Sequence, residues 1–400
     1  MNSLLLLLRN RRYFAPAWIF ASLNIVVGTW VLYLPAVRDR LGLTEGEIGI
    51  ALFCFSAGLL TMIPFAARVI KAVGLGRAAF GAILGFAAAM CLPVQMPTYV
   101  SLCVVLYCAG IVVSLTDIAM NALVSEIEQE DDQNFMSAAH GFFSLGGVIG
   151  AGAGTFLLPH FSVPAHHFYA VFAFILLTNA LLCGSYLRHR GKPREGAAEG
   201  EKFNFALVKP LLGLTFLSML VMGSEGAVEH WSKLYMLDVV AVGSDQLAGY
   251  GFIVFSAMMM FGRFLGDGIS ARLGSFPLII GGTALAATGF GLTLLSTFAM
   301  SMAGFAFVGL GFSVIIPELF RVAGKTRGIN AAEGIAVVAG MGYVGFIASP
   351  ALLGFIADWQ SLWFSFLALM VGSVVAGSLA LLLWRKRQQQ KGAAAGAGNG

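Results

Sequence analysis

Ionisable side chains are scarce in this chain, and several stand inside long apolar runs. In "GIVVSLTDIAMNALV" (110–124), Asp117 is the first charged residue after Arg77, and Asn121 follows one helical turn later. A four-residue spacing puts both on one face of a helix. The pair offers a carboxyl that can lose and regain a proton, and an amide that can hydrogen-bond either form or hold a solute hydroxyl. His140, in "MSAAHGFF", falls at a similar depth and reads as a relay partner. In "EGAVEHWSKLY" (225–235), Glu225, Glu229 and Lys233 follow one another at i, i+4. Two carboxylates so placed repel if both ionise, and Lys233 is positioned to neutralise Glu229. Glu225, without an obvious local cation, is then a second candidate for proton transfer. An ionisable group at the centre of a membrane span costs about 2.5–3.5 kcal/mol on insertion scales, so each one asks for a function.

Farther along, Arg263 and Asp267 form an i, i+4 pair. With Glu318, Arg321 and Glu333 at the same depth, they read as a gate network rather than a solute site. Asn24, Trp30, Asn121, Trp231 and Tyr343 are the candidates to contact a solute, with Ser56, Asn179 and Ser256 near the same level. Trp231 reads either as a stacking ring or as an interfacial anchor. Together they suggest a polar cavity with aromatic walls, suited to a small neutral or amphipathic solute. His160, His166 and His167 cluster without an acid or Cys to complete a metal site. No phosphate-binding loop, HExxH or other catalytic motif occurs, so neither an enzyme nor a primary ATP-driven pump is expected, and no cofactor or metal.

The elements that must carry these residues follow from composition. The chain has 400 residues, 58% hydrophobic and only 11% charged, against roughly 25% charged for soluble domains. Uncharged stretches of the ~20 residues needed to cross a bilayer recur along it. Apolar runs of that length make helices, since barrel strands would alternate over shorter segments. Twelve spans are predicted, at 13–35, 45–69, 77–95, 98–124, 135–158, 167–187, 205–228, 245–270, 276–296, 298–320, 331–356 and 360–384. The expected fold class is an all-α polytopic membrane protein.

With the N-terminus inside, all of the 24 Lys and Arg except Arg38, Arg40 and Lys233 fall in inner segments. That bias predicts cytoplasmic termini, in the plasma membrane of a bacterium. The net charge of +4 resides in those loops and gives no reason to expect nucleic-acid binding. "MNSLLLLLRNRR" does not read as a signal peptide, because its charges follow a short leucine run and no small-residue cleavage site appears. The five cysteines are scattered through apolar spans and read as buried filler.

The sequence also repeats itself at an offset of 200. "LTEGEIGIALFCFSAGLL" (43–60) aligns with "GSDQLAGYGFIVFSAMMM" (243–260), matching Glu45 with Asp245, Gly49 with Gly249 and Phe55-Ser56-Ala57 with Phe255-Ser256-Ala257. Gly74 and Gly274, Gly81 and Gly281, and Gly154 and Gly354 continue the register. Parallel repeats of six spans place a solute between the halves near the midplane. The expected organisation is a first bundle over 1–187, a cytoplasmic linker over 188–204, a second bundle over 205–384 and a disordered tail over 385–400. Thr44 and Glu47 fit a capping box, and Gly146, Gly150 and Gly154 give the fifth span a face that permits close helix approach.

"LPAVRDRLGLTEGEIG", "TDIAMNALVSEIEQ", "MSAAHGFFSLGGVIGAGAG", "EGAVEHWSKLY" and "FGRFLGDGISARLG", in that order, resemble the major facilitator superfamily over nearly the whole chain. More narrowly they resemble its rhizopine-transport-like branch, near the fucose permeases. The resemblance implies alternating access of two six-helix bundles, driven by a proton or another ion gradient. The Asp117–Asn121 spacing is similar to an acidic-x-x-x-Asn on the transport path of the fucose-permease relatives. The chain departs from the family at "RVIKAVGLGR" (68–77), where Lys71 and Ala72 stand in place of an Asp and an Arg, and Ala271 replaces the matching Asp in the second half. It lacks the fourth-span Arg of many proton-driven drug exporters and the first-span acid of the sugar permeases. The expected activity is transport of a sugar, polyol or inositol-like solute by a monomer in membrane lipid. The alternatives are an exporter of amphipathic compounds and a receptor or scaffold without turnover.

Overall fold

The computed structural model describes residues 2–133, 135–190, 208–326 and 331–397. The first half comprises α1 (Asn2–Arg9), α2 (Arg11–Leu41), α3 (Glu45–Val73), α4 (Leu75–Ala89), α5 (Tyr99–Asp131), α6 (Met136–Leu157) and α7 (Pro164–Leu182). The second comprises α8 (Val208–Asp238), α9 (Asp245–Leu273), α10 (Ser275–Thr293), α11 (Phe298–Phe312), α12 (Ile315–Gly324), α13 (Ala331–Trp359) and α14 (Leu362–Ala397). No strand occurs among the described residues. Twelve crossings are long and apolar enough to span a membrane, with α11 and α12 sharing one of them, Phe298–Gly324. The twelve expected spans are all present. Over the expected tail, α14 continues to Ala397, and 398–400 lie outside the described residues. Of the expected linker, 191–204 lies outside the described residues.

Helix ends follow local chemistry. Thr44 Oγ1 accepts from the Glu47 amide at 3.2 Å while the Glu47 carboxylate accepts from the Thr44 amide at 2.9 Å, so the expected capping box is formed at the start of α3. Gly74 (φ +91°) and Gly274 (φ +82°) break α3 from α4 and α9 from α10 at repeat-related positions. An L side chain rarely adopts that backbone conformation, so the repeat is visible in the turns as well as in the sequence.

In lipid, helices associate through close packing rather than through exclusion of water, and small residues permit it. A Cβ on Gly146 would run into the Ala21 carbonyl, and one on Gly150 into that of Ile25, so the small-residue face of α6 lies directly on α2. The halves repeat the device. A Cβ on Gly110 of α5 would meet the Phe55 carbonyl of α3, and one on Gly309 of α11 the carbonyl of its repeat mate Phe255 on α9. Helix α2 is the most enclosed span, 89% buried over its central window, whereas α7 is 17% buried and α14 28%.

Candidate functional site

Seven polar side chains meet between the halves. From the first half come Asp117 and Asn121 on α5 and His140 on α6. From the second come Glu225 and Glu229 on α8, Arg263 on α9 and Tyr343 on α13. His140 and Tyr343 are exposed although both lie deep in the bundle, which marks a cleft between the halves rather than the lipid face. The Tyr343 phenol lies within electrostatic range of both Asp117 and Glu225, so α13 faces acids from each half.

The Asn121 amide donates to the Asp117 carboxylate at 3.2 Å and to the Asp117 carbonyl at 2.9 Å. No ion pair reaches Asp117 among the described residues. The expected face sharing of Asp117 and Asn121 is present. His140, expected beside them, instead stacks edge-on to Phe20 at 5.1 Å and lies within range of Arg263.

The second-half charges pair differently from the helical spacing. Arg263 donates to Glu225 at 2.9 Å and to Ser144 of α6 at 2.8 Å. These two partners draw it into the cleft; the side chain of Asp267, expected as its partner one turn along, lies outside the described residues. A guanidinium carries five donors on a long stem and can serve two helices at once. Lys233, expected to neutralise Glu229, is fully buried and points to the far end. It donates to the Leu32 carbonyl of α2 and pairs with Asp245 at 3.3 Å. Glu225 is therefore ion-paired, whereas Glu229, though within electrostatic range of Arg263, makes no ion pair among the described residues, the reverse of the sequence expectation.

Asn24 is buried, and its amide donates to the Phe143 carbonyl at 3.0 Å. Trp30 and Trp231 are buried at 3% and 0% exposure, so neither ring forms a wall of the cleft, and Trp231 Nε1 has no partner. Of the expected gate, Glu318 and Arg321 pair at 2.8 Å and Arg321 also reaches Ser270. The side chains of Asp267 and Glu333 lie outside the described residues.

The two ends of the molecule are built differently. Far from the termini, Arg38 at the end of α2 binds Glu45 at 2.8 Å and also Asp238 at the end of α8. Thr44 donates to Asp358 of α13 at 3.0 Å. A Cβ on Gly49 would lie 2.7 Å from the Pro350 carbonyl of α13, and one on its repeat mate Gly249 would lie 2.6 Å from Thr155 of α6. At the termini-bearing end, Arg12 and Glu318 bind partners within their own half. Arg12 binds Asp131 at 2.6 Å and Glu130 at 2.7 Å, and Glu318 binds Arg321. Glu128 caps α6, accepting from the amides of Phe135 and Met136 at 2.5 and 2.7 Å. The far end is closed by these bonds, and no ion pair between the halves joins Arg12, Glu130, Asp131 or Glu318 at the other end among the described residues.

Sequence reasoning missed Ser144, Arg38, Asp238 and Asp358. Two signals were available. Ser144 is one turn from His140, and Arg38 and Asp238 stand at the repeat offset of 200.

Residues 17–331 match the sequence profile of the Major Facilitator Superfamily. An uncharacterised MFS-type transporter of Yersinia pestis is 30% identical over 376 residues, covering 91% of each chain. Membrane protein MosC of Rhizobium meliloti is 28% identical over 382 residues, covering 94% of this chain and 91% of MosC. The crystal structure of the nucleoside transporter NupG superposes with a TM-score of 0.71 at 14% identity, covering 94% of this chain and 99% of NupG. A bacterial homologue of the human lysosomal transporter Spinster superposes with a TM-score of 0.67 at 13% identity, covering 94% and 97%.

Proposed function

The chain belongs to the major facilitator superfamily and is an integral-membrane secondary transporter rather than an enzyme, and from that premise we propose that it couples movement of a small polar solute to proton transfer at Asp117. The solute class is a sugar, polyol or inositol-like compound. The termini are cytoplasmic, as the distribution of Lys and Arg favours, and the monomer is the working unit.

One observation carries the reading. Asp117 faces the cleft with a neutral amide as its partner, and Tyr343 of the opposite half lies within its electrostatic range. A carboxylate held by a fixed cation gives up its charge only at high cost, whereas one held by an amide can cycle between forms. Asn121, whose amide already touches Asp117, can stay bonded to the acid in either form or turn to a solute hydroxyl. Tyr343 offers a hydroxyl and an aromatic face to the same solute from the other half. A solute bound between α5 and α13 draws the halves together at the termini-bearing end. Alternating access requires that step.

The test has two stages. Purified protein is melted against a panel of sugars, polyols, amines and amphipathic drugs, because anything that binds the native state raises its apparent stability. The solute found is then used in proteoliposomes with Asp117→Asn, which keeps the shape and removes the titration. The variant should lose gradient-driven accumulation and retain exchange of labelled for unlabelled solute. Accumulation at the wild-type rate and pH dependence would rule Asp117 out as the coupling group. A panel in which only amphipathic drugs stabilise the protein would favour export of such compounds.

A further inference from the structure

Within the site between the halves, a small cavity that Asp117 does not line lies where α2 and α6 of the first half meet α8 and α9 of the second. Its lining includes Asn24, Ser144, Glu225, Glu229, Ser256 and Arg263. We propose that it is a site for one monovalent metal cation, with Na+ as the probe, held by oxygens of Asn24, Glu229 and Ser256.

Size excludes the solute. The cavity is about 20 Å³, room for about one water-sized occupant. Charge calls for a cation. Glu225 and Arg263 neutralise each other at 2.9 Å. Glu229 has neither an ion pair nor a hydrogen bond among the described residues, and Lys233, one turn on, is committed to Asp245 and to the Leu32 carbonyl. His140, on α6, lies within range of Arg263, and α2 brings no charged group to the lining. With Glu229 ionised, the lining therefore carries one uncompensated negative charge, which a membrane interior tolerates only when paired.

The neutral donors point the same way. Asn24 is 4% exposed, and its Nδ2 is fixed by the Phe143 carbonyl at 3.0 Å. Its Oδ1 is buried without a hydrogen-bond partner. A Cβ on Gly147 would lie 2.8 Å from Asn24 Nδ2 and 3.5 Å from Ser256 Oγ, so the two side chains converge over this glycine from α2 and α9. A carboxylate, an amide carbonyl and a hydroxyl form an all-oxygen set of the kind hard cations take. Ca2+ would need about six to eight such ligands, and one net charge suits a monovalent ion. Because the donors come from both halves, the ion would bind this arrangement of the halves in preference to the one in which they separate here.

The inference uses the transporter reading only for its role in the cycle; binding itself is read without solute. The full chain in detergent is melted in sodium chloride and in N-methyl-D-glucamine chloride at equal ionic strength, at two pH values. Na+ should raise the apparent melting temperature by about 2–4 °C, saturating with concentration. Glu229→Gln should abolish the shift, and Ser256→Ala should weaken the apparent affinity several-fold. Asn24→Asp, which keeps an oxygen there and adds charge, should tighten it. Equal melting in the two salts at both pH values would overturn the proposal, as would a Na+ shift that survives Glu229→Gln. A shift with pH alone, lost in Glu229→Gln, would place a proton on Glu229 and likewise overturn it. Asp117→Asn should leave the Na+ shift intact, so failure of this site and failure of the coupling reading are separable.

Discussion

The far end and the termini-bearing end of the molecule spend their charges differently. At the far end, Arg38, Lys233 and Asp358 each reach across to the opposite half, to Asp238, the Leu32 carbonyl and Thr44. At the other end, Arg12 and Glu318 find partners in their own half. Cross-half bonds must break when access alternates, whereas bonds within a half travel with it. The far-end set therefore sets an equilibrium between conformers, and the near-end set sets the stability of each bundle.

Three experiments test that contrast. The largest effect is expected from Lys233→Met. A hydrogen bond from a charged donor contributes about 1.5–3 kcal/mol, and here it exists only while the far end is closed. Labelling of a cysteine introduced on the face of α5 that carries Asn121 should rise when the reagent is added at the far end, by roughly tenfold or more. Unchanged labelling would reduce Lys233 to a packing residue.

A smaller effect is expected from the charge exchange of Arg38 and Asp238. Arg38→Asp and Asp238→Arg alone should each favour opening at the far end. The double exchange should recover part of the loss, with a coupling of about 0.5–3 kcal/mol between neighbouring charged groups. Additive effects would mean that the two side chains act independently.

The smallest is Arg12→Gln. Its side chain is 36% exposed, and exposed pairs contribute about 0.2–1 kcal/mol. A slightly lower melting temperature is expected with no change in labelling at either end. A change in labelling would show that the near-end pairs also take part in the equilibrium, and the contrast between the ends would fail.

Much of this architecture was legible in the sequence. Hydropathy located the twelve crossings, a Thr-x-x-Glu pattern located the start of α3, and the offset of 200 identified the halves. What sequence gave was depth along each helix. What it withheld was the direction in which a side chain leaves the axis once helices pack. Arg263 illustrates the limit: helical spacing offers it Asp267, and no spacing rule points to Glu225 on α8 or Ser144 on α6, which its side chain reaches. Trp231 has the neighbours of an interfacial ring, and packing encloses it entirely. Lys233 shares a helical face with Glu229, yet the Leu32 carbonyl and Asp245 offer it partners closer to the aqueous rim. Asp117 and Asn121 were read correctly as neighbours because both belong to a single helix, where spacing alone decides contact.

The pairing of Arg38 with Asp238 has a bearing on ancestry. The two positions occupy the same place in each half, so they face one another across the pseudo-twofold axis. In an assembly of two identical copies, a residue at such a place meets only itself. An arginine there would have met an arginine, and an aspartate an aspartate, each repelling its twin. Attraction between them became available only once the copies were encoded separately and free to diverge. The clasp at the far end is therefore younger than the duplication that produced the two bundles, and an undivided ancestor must have closed that end by other means.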